Sequence, residues 1–211
     1  MQTSELIDRL ATDLRPVPPR AALMRIATGL LVGGALALVA ILLTLGTDLA
    51  EALFTRAFWM KWGYGFALAG IALGLCLRLA RPESAPGKLP FALAVPLVVI
   101  AAIAAAELAA TPPGERLRIW LGHSSLVCPW LIASLAIPLF VGVLWAFRKF
   151  APTRPRLAGF SSGALAGALA AVLYSIHCNE TAAAFVATWY TIGIALPAVV
   201  GLLIGPRVLR W

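Results

Sequence analysis

Charge is what this sequence has least of. Only 12% of its 211 residues are Asp, Glu, Lys or Arg, about half the share usual in soluble domains. Hydrophobic residues make up 61%, and the mean hydropathy is +0.92. The apolar residues lie in long unbroken blocks rather than at amphipathic spacing, which excludes a water-soluble core and indicates membrane-spanning segments.

Within those blocks the sequence predicts no ionisable residue deep in the bilayer, and Glu107 falls just past the end of one. Pumps and carriers keep costly charges at mid-membrane because ions and protons need them, so a small transporter is disfavoured. Pro96, Pro138 and Pro197 could open substrate sites at mid-depth. Without polar neighbours they read as packing features. No nucleophile–base or metal set for an intramembrane hydrolase can be assembled. Three cysteines without a C-x-x-C spacing also leave the alternative reading, a membrane thiol oxidoreductase, without its usual motif. The expectation is therefore not an enzyme. The net charge of +8 raises nucleic acid as a partner, but Lys and Arg cluster beside the apolar blocks, where anionic lipid and topology account for them. Direct nucleic-acid binding is set aside.

What is present is an all-α pattern: six blocks near the ~20 residues that the hydrocarbon thickness requires. They cover residues 26–45, 62–77, 89–106, 126–147, 157–176 and 182–204. The second, bracketed by Lys61 and Arg78, must be short or borrow the aromatic stretch from Phe58. The polar start predicts no cleaved leader, and the first block reads as a retained span. The organisation expected is an arm (1–25), a six-helix transmembrane bundle (26–204) and a short tail (205–211). Thirteen of the seventeen Lys and Arg fall on one side if the N-terminus is cytoplasmic, leaving only Arg56, Lys61, Arg116 and Arg118 on the other. This bias predicts cytoplasmic N- and C-termini. Small residues recur every fourth position: Gly29 and Gly33, Gly70 and Gly74, and Gly159, Gly163, Gly167 and Ala171. Such faces let backbones approach within a bundle, or form a homodimer seam.

One polar constellation stands out. His123 and Cys128 lie at the outer entrance of the fourth block, and His177 and Cys178 in the outer turn between the fifth and sixth. Topology places all four at one membrane face. Neutral imidazole and thiolate bind soft transition metals, and two of each suffice for four-coordination. The cysteines could instead form a disulfide in an oxidising compartment, or be small residues at helix ends. Residue spacing leaves all three open. A soft metal ion is conceivable as a signal, with no cofactor obligatory. Cys76, inside the second block, reads as a structural thiol.

The arm carries Leu6, Ile7, Leu10, Ala11 and Leu14 at helical spacing, with Asp8, Arg9 and Asp13 opposite. Pro16, Pro18 and Pro19 end the stripe. A helix of about twelve residues is marginal alone in water. Its acidic polar face suits anionic lipid poorly, so docking into a partner's groove is the better fit.

The opening ELIDRLATDLRPVPP, the GHSSLVCPW at the fourth block, the LYSIHCNETAAAFVATWY run and the closing GPRVLRW together resemble the NrsF family. Its members are six-span bacterial anti-sigma factors that negatively regulate an extracytoplasmic-function sigma factor. The resemblance implies an inner-membrane protein whose N-terminal arm holds that sigma factor. It also implies sensing of heavy-metal or oxidative stress by two cysteines that correspond to Cys128 and Cys178. It assigns no role to the histidines.

Overall fold

The computed structural model describes residues 20–46, 52–81 and 84–210. Leu6, Ile7, Asp8, Arg9, Leu10, Asp13 and Leu14 of the arm lie outside the described residues, and the arm's last residues, from Ala21, already belong to the first helix. Among the described residues there is no strand, and six helices are long and apolar enough to cross a membrane. They are α1 (Ala21–Thr44), α2 (Arg56–Leu79), α3 (Leu89–Ala110), α5 (Cys128–Phe147), α6 (Pro155–Tyr174) and α7 (Ala183–Val208). A nine-residue helix that hydropathy did not single out, α4 (Pro113–Leu121), lies between the third and fourth. Prolines open α4 and α6, at first-turn positions where a missing N–H costs nothing.

Five of the six spans begin and end within a few residues of the expected blocks. The second starts six residues earlier than the apolar run, at Arg56. The Thr55 side chain caps it, accepting a hydrogen bond from the Phe58 N–H at 3.3 Å and donating to the Ala52 carbonyl at 2.8 Å. Lys61 is thereby moved from a flanking position into the helix, where it is only 3% exposed. The expectation of spans free of buried charge fails at this residue.

α6 is the centre of the bundle. It packs along α7, α2 and α5, whereas α1 packs mainly on α5. About 78% of its apolar window is buried inside the protein, against 22% for α3 at the periphery. The small-residue faces explain this closeness. A methyl group on Gly159 would run into the Gly201 carbonyl, one on Gly163 into the Pro197 carbonyl, and Gly29 and Gly142 exclude one another in the same way. Gly33 meets the backbone of Pro138 and Leu139. These glycines are seams within one chain, and two of the three mid-span prolines contribute carbonyls to them. Gly70 departs from this pattern, with open space where its side chain would be. On α2 it is Gly65 that approaches α6, at Val172.

α7 is not uniform. After Ala183–Phe185 the backbone widens into a π-turn, Val186–Tyr190, before regular helix resumes at Thr191. Such one-turn widenings re-aim side chains and are frequent at functional sites. Here the turn presents Tyr190 to the end of the bundle where α5 starts and α6 stops.

Candidate thiol site

Cys128 is the first residue of α5, its N–H bonded to the Ser124 carbonyl at 2.8 Å. Cys178 lies just past α6 in a tight turn, with its N–H and that of His177 both directed to the Tyr174 carbonyl at 3.1 and 3.0 Å. The turn is closed by the Ser175 hydroxyl, which donates to the Val172 carbonyl at 2.6 Å. The two cysteines are 50 residues apart in sequence, yet the fold sets the Cys128 thiol against the Cys178 thiol, in position to donate a hydrogen bond to it. Both are free and buried.

A carboxylate fastens the two loops together. One oxygen of Glu180 accepts from the His123 N–H at 2.7 Å, the Ser124 N–H at 3.1 Å and the Ser124 hydroxyl at 3.0 Å. Gly122 makes room for it. With φ at +58°, this residue folds the chain against Glu180 and Phe185, and any side chain there would collide with both. Nearby, Glu107 on α3 accepts from the Ala184 N–H at 2.9 Å and so caps the start of α7. Trp120 and Trp189 add a reciprocal pair. The Trp120 indole donates to the Thr188 hydroxyl at 3.0 Å, and the Trp189 indole to the Trp120 carbonyl at 2.9 Å.

Lys61 completes the site. Its ammonium donates to the Cys178 carbonyl at 2.6 Å and lies 5.6 Å from the centre of the Tyr190 ring. Its charge acts on both thiols. The Tyr174 hydroxyl is directed to Cys128. The buried Tyr190 hydroxyl faces Cys178 and has no completed hydrogen bond among the described residues. Hydrogen bonding from Cys128 lowers the Cys178 thiol from its ordinary range; burial opposes this, while Lys61, Tyr190 and the Glu180 N–H assist. The site is a buried cation, two phenols and two unequal thiols.

The four-residue ligand set does not assemble. The His123 side chain is 96% exposed, its Nδ1 3.9 Å from Glu180, and the His177 ring lies against Tyr174. No three of His, Cys, Asp and Glu gather in ligating geometry among the described residues. A cation beside two thiols also opposes a divalent ion electrostatically, so the residues present do not fit a four-coordinate metal. Cys76 is buried in α2 beside Ser161, apart from this cluster.

Comparison with known proteins bears on what the site belongs to. The family model described as "NrsF: Negative regulator of sigma F" matches residues 10–211. The chain belongs to the NrsF family. One NrsF relative, named a probable anti-sigma-F factor, from Azospira oryzae, is 43% identical over 213 residues; another, named an anti-sigma-F factor, from Caulobacter vibrioides, is 36% identical over 223. Each alignment covers the whole of both chains. No solved structure matches. In this NrsF chain, sequence reasoning placed both thiols at one face but missed Lys61 and Glu180. The Thr55 cap was a legible signal for Lys61, because a helix starting at Arg56 buries position 61. Nothing local marks Glu180 as the anchor of a loop 56 residues away.

Proposed function

We propose that this chain is a membrane-bound anti-sigma factor. It holds an extracytoplasmic-function sigma factor at the cytoplasmic face through the amphipathic stripe of residues 1–25, and it releases that factor when the thiol pair at the opposite end of the bundle reacts. The bundle lies in the bacterial inner membrane with both termini inside, as the Lys and Arg bias favours. The relatives' names support the first part. The observation that carries the second is the meeting of Cys128 and Cys178 across three helices, at the end of the bundle opposite the start of α1. Reaction of the pair by oxidation is favoured over a metal ion as the trigger, because the site has two thiols, a cation and, among the described residues, no third ligand.

Replacing Leu6, Leu10 and Leu14 together with Asp tests the arm. Each buried Leu is worth on the order of 1.5–3 kcal/mol, so three should weaken capture by several powers of ten. The full-length triple variant, inserted in the membrane, is expected to lose co-purification with the sigma factor that the unaltered chain retains. Equal capture by both would remove the arm from the account.

A further inference from the structure

The two thiols of the site are not equivalent, and the difference lies in access and charge. A cavity of about 280 Å³ opens among the loops at the thiol end, lined by Phe58, Lys61, Ser175, Cys178, Asn179 and Thr181. Asn179 and Thr181 at its mouth are exposed. Cys178 lines it and Cys128 does not; Cys128 is fully buried behind its partner. Lys61 lines the same cavity and donates to the Cys178 carbonyl. A buried ammonium needs a compensating negative charge. No salt bridge reaches Lys61 among the described residues, and an ionised Cys178 is the sulfur best placed to supply that charge. Among the described residues the carboxylate in the cavity wall is Glu180, and one of its oxygens is committed to the 122–124 loop.

We propose that Cys178 is the attacking sulfur and Cys128 the resolving one, with Lys61 a positioning residue that holds negative charge on Cys178 and the cavity the port through which a small hydroperoxide enters. This rests on the reading of the pair as the sensor and specifies its chemistry. A water occupies roughly 30 Å³ of liquid, so the cavity admits a hydroperoxide together with solvent. The groups facing Cys178 from every neighbouring element are Lys61 of α2, Cys128 of α5, Tyr174 of α6, Tyr190 of α7 and the Glu180 N–H of the turn.

The chemistry balances. The Cys178 thiolate attacks one peroxide oxygen, the O–O bond breaks, an S–O bond forms, and hydroxide leaves beside the Lys61 ammonium. Sulfur has lost two electrons and the peroxide has gained them. Cys128 sulfur then attacks the Cys178 sulfenic acid, an S–S bond forms and the S–O bond breaks. The departing hydroxide takes the Cys128 proton as water. The first hydroxide recovers the proton that Cys178 released on ionising, so the sum is two thiols and one hydrogen peroxide giving one disulfide and two waters.

The test uses the full chain in proteoliposomes, hydrogen peroxide as oxidant and a dimedone probe for sulfenic acid, read by mass spectrometry. Cys128→Ser is expected to accumulate probe on Cys178. Cys178→Ser is expected to leave Cys128 unlabelled. Lys61→Gln should slow disulfide formation on the order of tenfold, and Lys61→Arg, which keeps the charge, should stay within about threefold of the unaltered chain. A merely structural lysine would not show this rescue by charge. Labelling of Cys128 in Cys178→Ser as fast as of Cys178 in Cys128→Ser would overturn the assignment of roles. So would equal rates for Lys61→Gln and the unaltered chain. If Lys61→Gln fails to insert, the two cysteine variants still decide which sulfur attacks. The readout is on sulfur alone, so a disulfide that forms as described without releasing a sigma factor would sink the proposed function and leave this chemistry standing.

Discussion

At the scale of single residues, the site is an example of polar groups made necessary by one another. Lys61 needs an acceptor, finds the Cys178 carbonyl, and in doing so pins the turn that carries the thiol. Glu180 satisfies three donors of the loop that leads into Cys128. Its side chain is only 13% exposed, and removing it would deprive the exposed His123 N–H and the part-buried Ser124 N–H and hydroxyl of their shared partner, at a cost of about 0.5–1.5 kcal/mol per bond. Glu180→Ala is therefore expected to let the loops part and to lower the yield of the Cys128–Cys178 disulfide under a mild oxidant, several-fold at equal exposure. An unchanged yield would mean that the helices alone hold the thiols together. The sequence placed both cysteines at one face because helix count and charge bias fix topology. Hydropathy alone misplaced Lys61, because an apolar window reports where hydrophobicity ends rather than where Thr55 caps the backbone, and Glu180 has no local signal at all.

At the scale of elements, hydropathy was a good guide to which segments span and a poor one to what lies between them. α4 has nine residues and mixed polarity, so it makes no spanning signal, yet through Trp120 it docks the connection between α3 and α5 onto α7. The π-turn was equally hidden, since it changes hydrogen-bond register without changing composition. The glycine rows were legible as close-approach faces, and the structure distinguishes those that are used from the one that is not. Leu at Gly163 would have to displace the Pro197 backbone, whereas Leu at Gly70 would enter open space. Overpacking of this kind costs about 1–3 kcal/mol, occasionally more. Gly163→Leu is expected to lower the thermal stability of the detergent-solubilised bundle clearly, and Gly70→Leu to leave it nearly unchanged. Equal effects would mean that the α6–α7 seam is not the tight contact described. A loss of self-association confined to Gly70→Leu would instead point to a homodimer surface on α2.

At the scale of the whole molecule, the proposal is a coupling between two ends of a helix bundle. The thiol pair joins the head of α5 to the turn between α6 and α7, and those three helices form the most closely packed part of the protein. A disulfide there can act on the arm only if the oxidised bundle favours a different arrangement at the arginine-rich end, because a modification shifts an equilibrium by no more than its differential free energy for the two states. A coupling of about 3 kcal/mol would change sigma-factor affinity roughly a hundredfold, within the ordinary range. The seam of α6 with α7 suits this role. Contacts made backbone to backbone have little slack, so a shift at one end of α6 is passed along its length. The most direct test is the dissociation constant of the sigma factor from the full-length chain in nanodiscs, measured reduced, peroxide-oxidised and re-reduced, beside the Cys128→Ser/Cys178→Ser double variant. Oxidation is expected to weaken binding on the order of a hundredfold, re-reduction to restore it, and the double variant to bind tightly throughout. An oxidised chain, with the disulfide confirmed, that holds the sigma factor as tightly as the reduced one would contradict this coupling.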